Sequence, residues 1–162
     1  MPFPMQQQRE PNWCWNAVSV TLEHYFNPDS ALTQEQFAVK ALGVSLTEAD
    51  DPFYLSTALT DLKLLSGNPI DGFLSFSDIQ RQIEANLPVC VKIGWNDGGG
   101  FHYLIISGYG ISPAGAPQLH VSDPLFTDFN VVIWDYEAFV FTYSPRYTNA
   151  EGAWVNTLLV KP

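Results

Sequence analysis

Cysteine, histidine and long apolar runs are all scarce in this chain of 162 residues. Its two cysteines, Cys14 and Cys90, are too few for a disulfide framework, although they allow one bridge between them. The three histidines are scattered, without the closely spaced Cys and His pairs of zinc sites, so we expect no metal. No apolar run approaches the ~18 residues of a membrane span, and the N-terminus lacks the features of a secretory signal.

Basic residues are also rare, with 7 Lys and Arg against 17 Asp and Glu, a formal charge of −10. Such a chain is poorly suited to bind nucleic acid or an anionic membrane, so we expect neither as a partner. A basic protein partner or substrate is weakly favoured. The composition is 46% hydrophobic, which supports an ordered core, and the length predicts one domain, residues 1–162.

The first half of the chain, about residues 12–87, is predicted to be helical. Four helices are indicated by their starting signals, which are Asn12, Thr33 with Gln36, Asp51-Pro52, and Ser75 or Ser77. The corresponding stop signals are Asn27-Pro28, Gly43, Gly67 and Pro88. Leu55, Leu59, Leu62 and Leu65 are expected to form the apolar stripe of the third helix.

The second half, about residues 88–162, is predicted to be a sheet. Six short segments are rich in β-branched and aromatic residues, namely 89–95, 101–110, 118–123, 129–135, 139–143 and 154–160. Helices followed by strands predict the α+β class with a mostly antiparallel sheet. We expect two lobes in one domain, with a cleft between them.

Cys14 lies in the segment QQQREPNWCWNAVSV, near the start of the first predicted helix. With Asn12 as the cap it is the second helical residue, where free backbone N–H groups and the helix dipole favour the thiolate form. An equally weighted alternative is that Cys14 is a small buried apolar residue. Cys90 lies within a predicted strand and is expected to be inert.

A nucleophilic thiolate needs a base, and His102 has the most suitable position. His24 lies roughly 15 Å along the helix of Cys14, and His120 should face away from Asp123 on their common strand. His102 follows a glycine run ending at Gly100, where a substrate or another backbone can come close. A histidine beside an ordinary hairpin turn is the alternative, and taken alone it carries more weight.

Two further residues complete a possible acyl-transfer site. Asp123 ends a predicted strand and could orient His102, although an ordinary Asp-Pro turn is the alternative. Gln8 lies six residues before Cys14 and could donate to an oxyanion together with the Cys14 backbone N–H. Gln6 and Gln7 compete with it for that role.

Gln8, Cys14 and Trp15, followed much later by His102 in FHYLIISGYG, resemble the papain-like cysteine peptidases. The opening NWCWNAV is most similar to a compact bacterial branch that includes AvrRpt-type effector proteases and bacteriocin leader peptidases. This branch uses an aspartate where papain has an asparagine, which fits Asp123.

The resemblance implies a Cys14–His102–Asp123 triad, an oxyanion hole with Gln8, and no cofactor. It also implies that Trp13 and Trp15 wall the substrate site, unless they are plain core.

At the level of function the resemblance implies a bacterial effector or toxin peptidase acting on a protein or peptide target. Such an enzyme would be delivered by a dedicated secretion system, or otherwise be cytoplasmic, and a toxin would have an inhibitory immunity protein as partner. An acyltransferase or transglutaminase-like enzyme with the same triad, and an inactive peptide-binding domain, are the alternatives.

Overall fold

The computed structural model describes residues 3–126, 131–145 and 149–162. Within these ranges the helices are α1 (Cys14–Phe26), α2 (Gln34–Leu42), α3 (Leu55–Asp61), α4 (Phe76–Glu84) and α5 (Tyr136–Thr142), with a 3-10 turn at Leu46–Glu48. The strands are β1 (Ile70–Asp71), β2 (Val89–Trp95), β3 (Phe101–Ile111), β4 (Pro117–Ser122), β5 (Val132–Asp135) and β6 (Gly152–Leu159). No helix of the described ranges is both long and apolar enough to cross a membrane.

The strands form one sheet in the order β1-β6-β2-β3-β4-β5, and every neighbouring pair is antiparallel. This architecture confirms the predicted α+β class. The strand β1, which the sequence did not predict, lies in the mainly helical first half and pairs with β6 near the C-terminus. The boundary between lobes near residues 87 and 88 stays a prediction.

The two faces of the sheet carry separate apolar clusters, because successive residues of a strand point to opposite sides. Cys90 and Ile105 pack with α1, α2 and α3 on one face. Val91 and Leu104 pack with α4 and α5 on the other face. The helix α1 lies against β3, and this contact brings the first helix to the strand that carries His102.

Two of the predicted helix starts are confirmed by their caps. The Thr33 and Gln36 side chains form a capping box at α2, which ends at Gly43 in the left-handed conformation. Ser75, one of the two serines considered, accepts a hydrogen bond from the Asp78 backbone N–H and caps α4.

The predicted start of α1 at Asn12 is wrong by one residue. Trp13 occupies the N-cap position, so Cys14 is the first residue of the helix rather than the second. Asn12 instead bonds to Asp50, through its backbone N–H to Oδ1 and through its side-chain amide to the carbonyl. The thiol therefore lies even closer to the free N–H groups at the helix end.

The third helix is shorter than predicted. It begins at Leu55 instead of Asp51-Pro52, and its last residue is Asp61, well before Gly67. The carbonyl of Asp51 accepts a hydrogen bond from the Trp15 indole, which holds this part of the chain outside the helix. Beyond the helix, Lys63 has a φ of 63°, which ends the regular backbone before Leu65 can continue the stripe.

The prediction of a strand at 139–143 is wrong, because most of this segment lies in α5. The Asp135 side chain accepts the backbone N–H groups of Glu137 and Ala138 and so caps the helix. Phe139, Val140 and Tyr143 are buried. Tyr143 follows the other two by three or four residues, which is the spacing of one face of a helix. Residues 129 and 130 of the neighbouring predicted strand lie outside the described ranges, and β5 begins at Val132.

Candidate active site

Cys14 opens α1 with only 7% of its surface exposed. The preceding turn is held by the Trp13 indole N–H, which donates to the Ala49 carbonyl over 2.7 Å. Trp15 packs between Phe37 and Phe53 on the helical side. Trp13 and Trp15 are 1% and 0% exposed, as expected for core residues, and a role as walls of the substrate site stays a prediction. These two indoles fix the position of the helix start and hence the position of the Cys14 thiol.

His102 and Asp123 form a buried ion pair. The His102 Nε2 and the Asp123 Oδ1 are 2.8 Å apart, and the residues are 4% and 5% exposed. Their meeting follows from the register of the hairpin, in which Ile105 lies opposite Ser122. The chain leaving β4 therefore runs beside the start of β3.

The electrostatics of the pair favour its charged form. Burial alone would lower the pKa of His102, but the charge and hydrogen bond of Asp123 and a hydrogen bond with Cys14 raise it to about 10. Burial alone would raise the pKa of Asp123, yet His102 and the donors Tyr143 and Leu125 lower it below its usual value. Because Asp123 engages Nε2, Nδ1 is the ring nitrogen left for Cys14.

A second layer of side chains surrounds the pair, and the sequence did not reveal it. The Trp95 ring stacks on the His102 ring, with centroids 5.9 Å apart and planes 17° apart. The same indole stacks on Tyr143, whose hydroxyl donates to Asp123 Oδ2. The Leu125 backbone N–H donates to Oδ1 over 2.8 Å. Trp95 could have been found from the β2–β3 hairpin, because Ile93 pairs with His102 and Trp95 is two residues further.

Gln8 lies beside the loop that follows Asp123. Its backbone N–H donates to the Pro124 carbonyl over 2.8 Å. Its side-chain amide donates to the carbonyls of Glu10 and Pro11, while its buried Oε1 has no hydrogen-bond partner among the described residues. A role for Gln8 as oxyanion donor stays a prediction, and it requires the amide to release one of these carbonyls.

The competing glutamines are engaged elsewhere. Gln6 donates from its backbone to Thr21 Oγ1, and its side chain contacts His24. The Gln7 carbonyl accepts from the Gln34 side chain over 2.8 Å. Gln8 is therefore the glutamine that the fold brings next to the Asp123 loop.

The remaining candidates are separated from the ion pair or untested. His24 also contacts the Leu32 carbonyl, and His120 lies against Gly108, so neither joins His102. Cys90 is fully buried, and burial raises the pKa of its thiol. Gly100 has a φ of 95°, in the hairpin turn before β3, and its contact with substrate stays a prediction.

The candidate site holds no obvious metal-binding group. Within residues 3–126, 131–145 and 149–162, no cluster of three or more His, Cys, Asp or Glu side chains has a geometry that could hold a metal ion. A thiol and an imidazole are the groups that nucleophilic and acid–base catalysis use, and this role of Cys14 and His102 stays a prediction.

A cysteine at the start of a helix that packs on the histidine strand of an antiparallel sheet defines the class of papain-like cysteine peptidases. The chain belongs to the family described as papain-like cysteine protease AvrRpt2, whose profile matches residues 1–130. The matched range includes Cys14, His102 and Asp123. No curated protein gives a significant match to the sequence.

Proposed function

We propose that this protein is a cysteine endopeptidase in which Cys14 is the nucleophile and His102 the acid–base group. The observation that carries the proposal is the buried His102–Asp123 pair, with Cys14 at the start of α1 among the neighbours that raise the pKa of His102. Family membership supports the same reaction. No cofactor is needed for it.

The reaction begins with attack of the Cys14 thiolate on the carbonyl carbon of a substrate peptide bond. The Cys14 backbone N–H and the Gln8 amide stabilise the resulting oxyanion. His102 then gives its Nδ1 proton to the leaving amine, the C–N bond breaks, and a thioester remains on Cys14. Neutral His102 takes a proton from water as the water attacks the thioester, which releases the acid product and restores the thiolate–imidazolium pair.

Asp123 contributes by orienting His102 and by stabilising its positive charge. The buried carboxylate is 2.8 Å from Nε2, which leaves Nδ1 as the ring nitrogen for Cys14. Such an orienting group is required for full rate but does not take part in bond formation.

The experiment that tests this function compares the protein with its Cys14→Ala and Cys90→Ala variants on a denatured protein substrate. We expect fragments with new N-termini from the unaltered protein and from Cys90→Ala, and none from Cys14→Ala. Cleavage by Cys14→Ala would contradict the proposal. Amine-containing products formed without new N-termini would instead indicate an acyltransferase.

We further propose that the natural target is a protein of another cell and that the enzyme is a bacterial effector or toxin. The support is the AvrRpt2 family and the small size of the chain. N-terminal labelling of proteomes exposed to the active enzyme or to Cys14→Ala would identify the target. An inhibitory immunity protein is proposed as partner of a toxin, and its binding should protect Cys14 from alkylation.

A further inference from the structure

Tyr143 contacts the oxygen of Asp123 that His102 does not use. Its hydroxyl donates to Oδ2, whereas Oδ1 receives the His102 ring and the Leu125 backbone N–H. Tyr143 is only 2% exposed. We infer that Tyr143 is a positioning residue for the Asp123 carboxylate and acts on His102 through it; the inference rests on the proposed peptidase function.

The hydrogen bonds explain why the carboxylate needs this partner. With donors on Oδ1 alone, Asp123 could turn about its Cβ–Cγ bond and leave Oδ2 buried without a hydrogen bond from the described part of the chain, which is costly. The hydroxyl of Tyr143 fixes the second oxygen and so fixes the plane of the carboxylate. Because His102 bonds to that plane, the direction of its Nδ1 toward Cys14 is fixed as well.

Tyr143 is itself held by its surroundings. It follows α5, and its backbone carbonyl accepts the Gly152 N–H over 2.9 Å. Its ring packs on Trp134 and Phe139, with centroids 5.2 and 5.3 Å away, and stacks with Trp95 at 6.4 Å. The positioning group therefore comes from an element other than those that carry His102 and Asp123.

The hydroxyl stays a donor over a wide pH range. Burial, together with the charge of Asp123 and the hydrogen bond to it, raises the pKa of Tyr143 well above its usual value. A phenol that keeps its proton cannot act as the base, which leaves positioning as its chemical role. A buried tyrosine also needs a polar partner for structural reasons alone, so the test must separate these two roles.

A double-mutant cycle on the full chain distinguishes a positioning role of Tyr143 from a purely structural one. Tyr143→Phe keeps the ring and removes the hydroxyl, and we measure kcat and KM in the unaltered and the Asp123→Ala backgrounds. In the unaltered background we expect kcat to fall by about tenfold to a hundredfold, as for a hydrogen bond to a charged group, with little change in KM. In the Asp123→Ala background we expect no further loss, because the effect passes through the carboxylate.

Tyr136→Phe is the matched control. Tyr136 is the first residue of α5, and its hydroxyl donates to the Leu74 carbonyl over 2.8 Å. This variant loses a comparable hydrogen bond away from Asp123, so its kcat should stay within twofold of the unaltered enzyme by the roughly additive behaviour of separate sites. In proton NMR we expect a downfield signal from the His102 Nε2–H that bonds to Asp123. This signal should persist in Tyr136→Phe and broaden in Tyr143→Phe.

An equal loss of kcat in both backgrounds, or no loss in either, would overturn the inference. Tyr143→Phe alone leaves a carboxylate oxygen of Asp123 without its donor. If that variant does not fold, the double variant Tyr143→Phe with Asp123→Ala, which has no carboxylate, can be compared with Asp123→Ala alone. A lower rate of the double variant would then also overturn it. If Cys14→Ala still cleaves peptides, the proposed function fails; if only Tyr143→Phe is silent, the failure concerns Tyr143 alone.

Discussion

The imidazole of His120 lies directly against the backbone of Gly108. The two residues face each other in the β3–β4 pair, and a Cβ at position 108 would lie 2.8 Å from the His120 Nδ1 and 3.2 Å from its Cβ. Within the Gly-Tyr-Gly segment, Gly108 therefore makes room for a histidine ring. His120 has a packing role here and is not available to Cys14.

Gly108→Ala should destabilise the protein by about 1–3 kcal/mol, the usual cost of an additional carbon in a packed region. Gly110→Ala is the matched control, because its Cβ would be 3.5 Å from the His120 Nε2, an ordinary contact. Urea unfolding of both variants tests the difference. Adding His120→Ala should restore most of the stability lost in Gly108→Ala, and no recovery would show that His120 is not the obstacle.

The fold was predictable where local signals and tertiary packing agree. The caps at Thr33 and Ser75 mark the starts of α2 and α4, and 89–95 was predicted with the bounds of β2. The segment 139–143 was not, because a short run of aromatic and β-branched residues suits either a strand or a buried helix. The helical conformation of this segment depends on the cap at Asp135, which lies outside the apolar run.

The candidate site was predictable to the extent that it is encoded in sequence spacing. Cys14, His102 and Asp123 were proposed from the residues beside them; the fold pairs His102 with Asp123, and the role of the three residues as a triad stays a prediction. Tyr143 could not be identified, because it meets Asp123 only through the packing of α5 on the sheet. The burial of Trp13 likewise depends on its contact with Ala49, far along the chain.

The two cysteines should differ strongly in reactivity. At neutral pH, iodoacetamide should modify Cys14 much faster than Cys90 in the native protein, because Cys90 is fully buried and burial raises the pKa of its thiol. Cys14 has His102 and a helix N-terminus as neighbours. Mass spectrometry after timed quenching gives both rates, and urea-unfolded protein is the control in which they should converge. Equal native rates would remove Cys14 as the nucleophile.

Substitutions in the site should give graded losses of peptide cleavage. Cys14→Ala and His102→Ala should abolish turnover, whereas Asp123→Ala should leave measurable activity, since an orienting group is less essential than the nucleophile. Gln8→Ala should cost roughly 10²–10³ in kcat, as for one oxyanion donor. Gln7→Ala is the control and should be nearly silent.

These rates also test the assignment of residues to roles. A crippled Gln7→Ala together with an active Gln8→Ala would show that the oxyanion donor is Gln7. Activity in His102→Ala with loss in His120→Ala would move the base to His120. Each variant should first be shown by circular dichroism to be fully folded under the assay conditions, so that a loss of rate reports on chemistry.

The ion pair predicts a pH dependence of stability. The pKa of His102 is raised from 6.5 to about 10 in the folded protein, so the folded state holds this proton more tightly than the unfolded state. The stabilisation is complete below pH 6.5 and is lost as the pH rises toward about 10. Asp123 has a lowered pKa and stays charged throughout this window.

The measurement is the free energy of unfolding at several pH values between 6.5 and about 10. The variant carrying both His102→Ala and Asp123→Ala is the control, because it removes the pair without leaving one charge buried alone. The unaltered protein should lose stability across the window faster than the control. If the free energy of unfolding falls equally with pH in both proteins, His102 is not held in its protonated form by the folded state.

Gln34 should be required to hold the segment that carries Gln8. Gln34 is 2% exposed, its Oε1 accepts the Arg9 backbone N–H, and its amide donates to Gln6 Oε1 and the Gln7 carbonyl. Gln34→Leu removes these bonds and leaves their partners unsatisfied, so we expect a loss of about 1–3 kcal/mol and faster cleavage by trypsin after Arg9.

The effect of Gln34→Leu on kcat distinguishes a catalytic role of the segment that carries Gln8 from a purely structural one. If Gln8 acts at the site, Gln34→Leu should lower kcat in the same direction as Gln8→Ala, and combining the two should cost less than the sum of their separate effects on the activation free energy. Gln36→Ala, which removes the reciprocal bond to the Thr33 backbone N–H at the start of α2, is the control and should change stability without changing kcat. Fully additive losses would show that Gln34 affects the enzyme by a route that does not pass through Gln8.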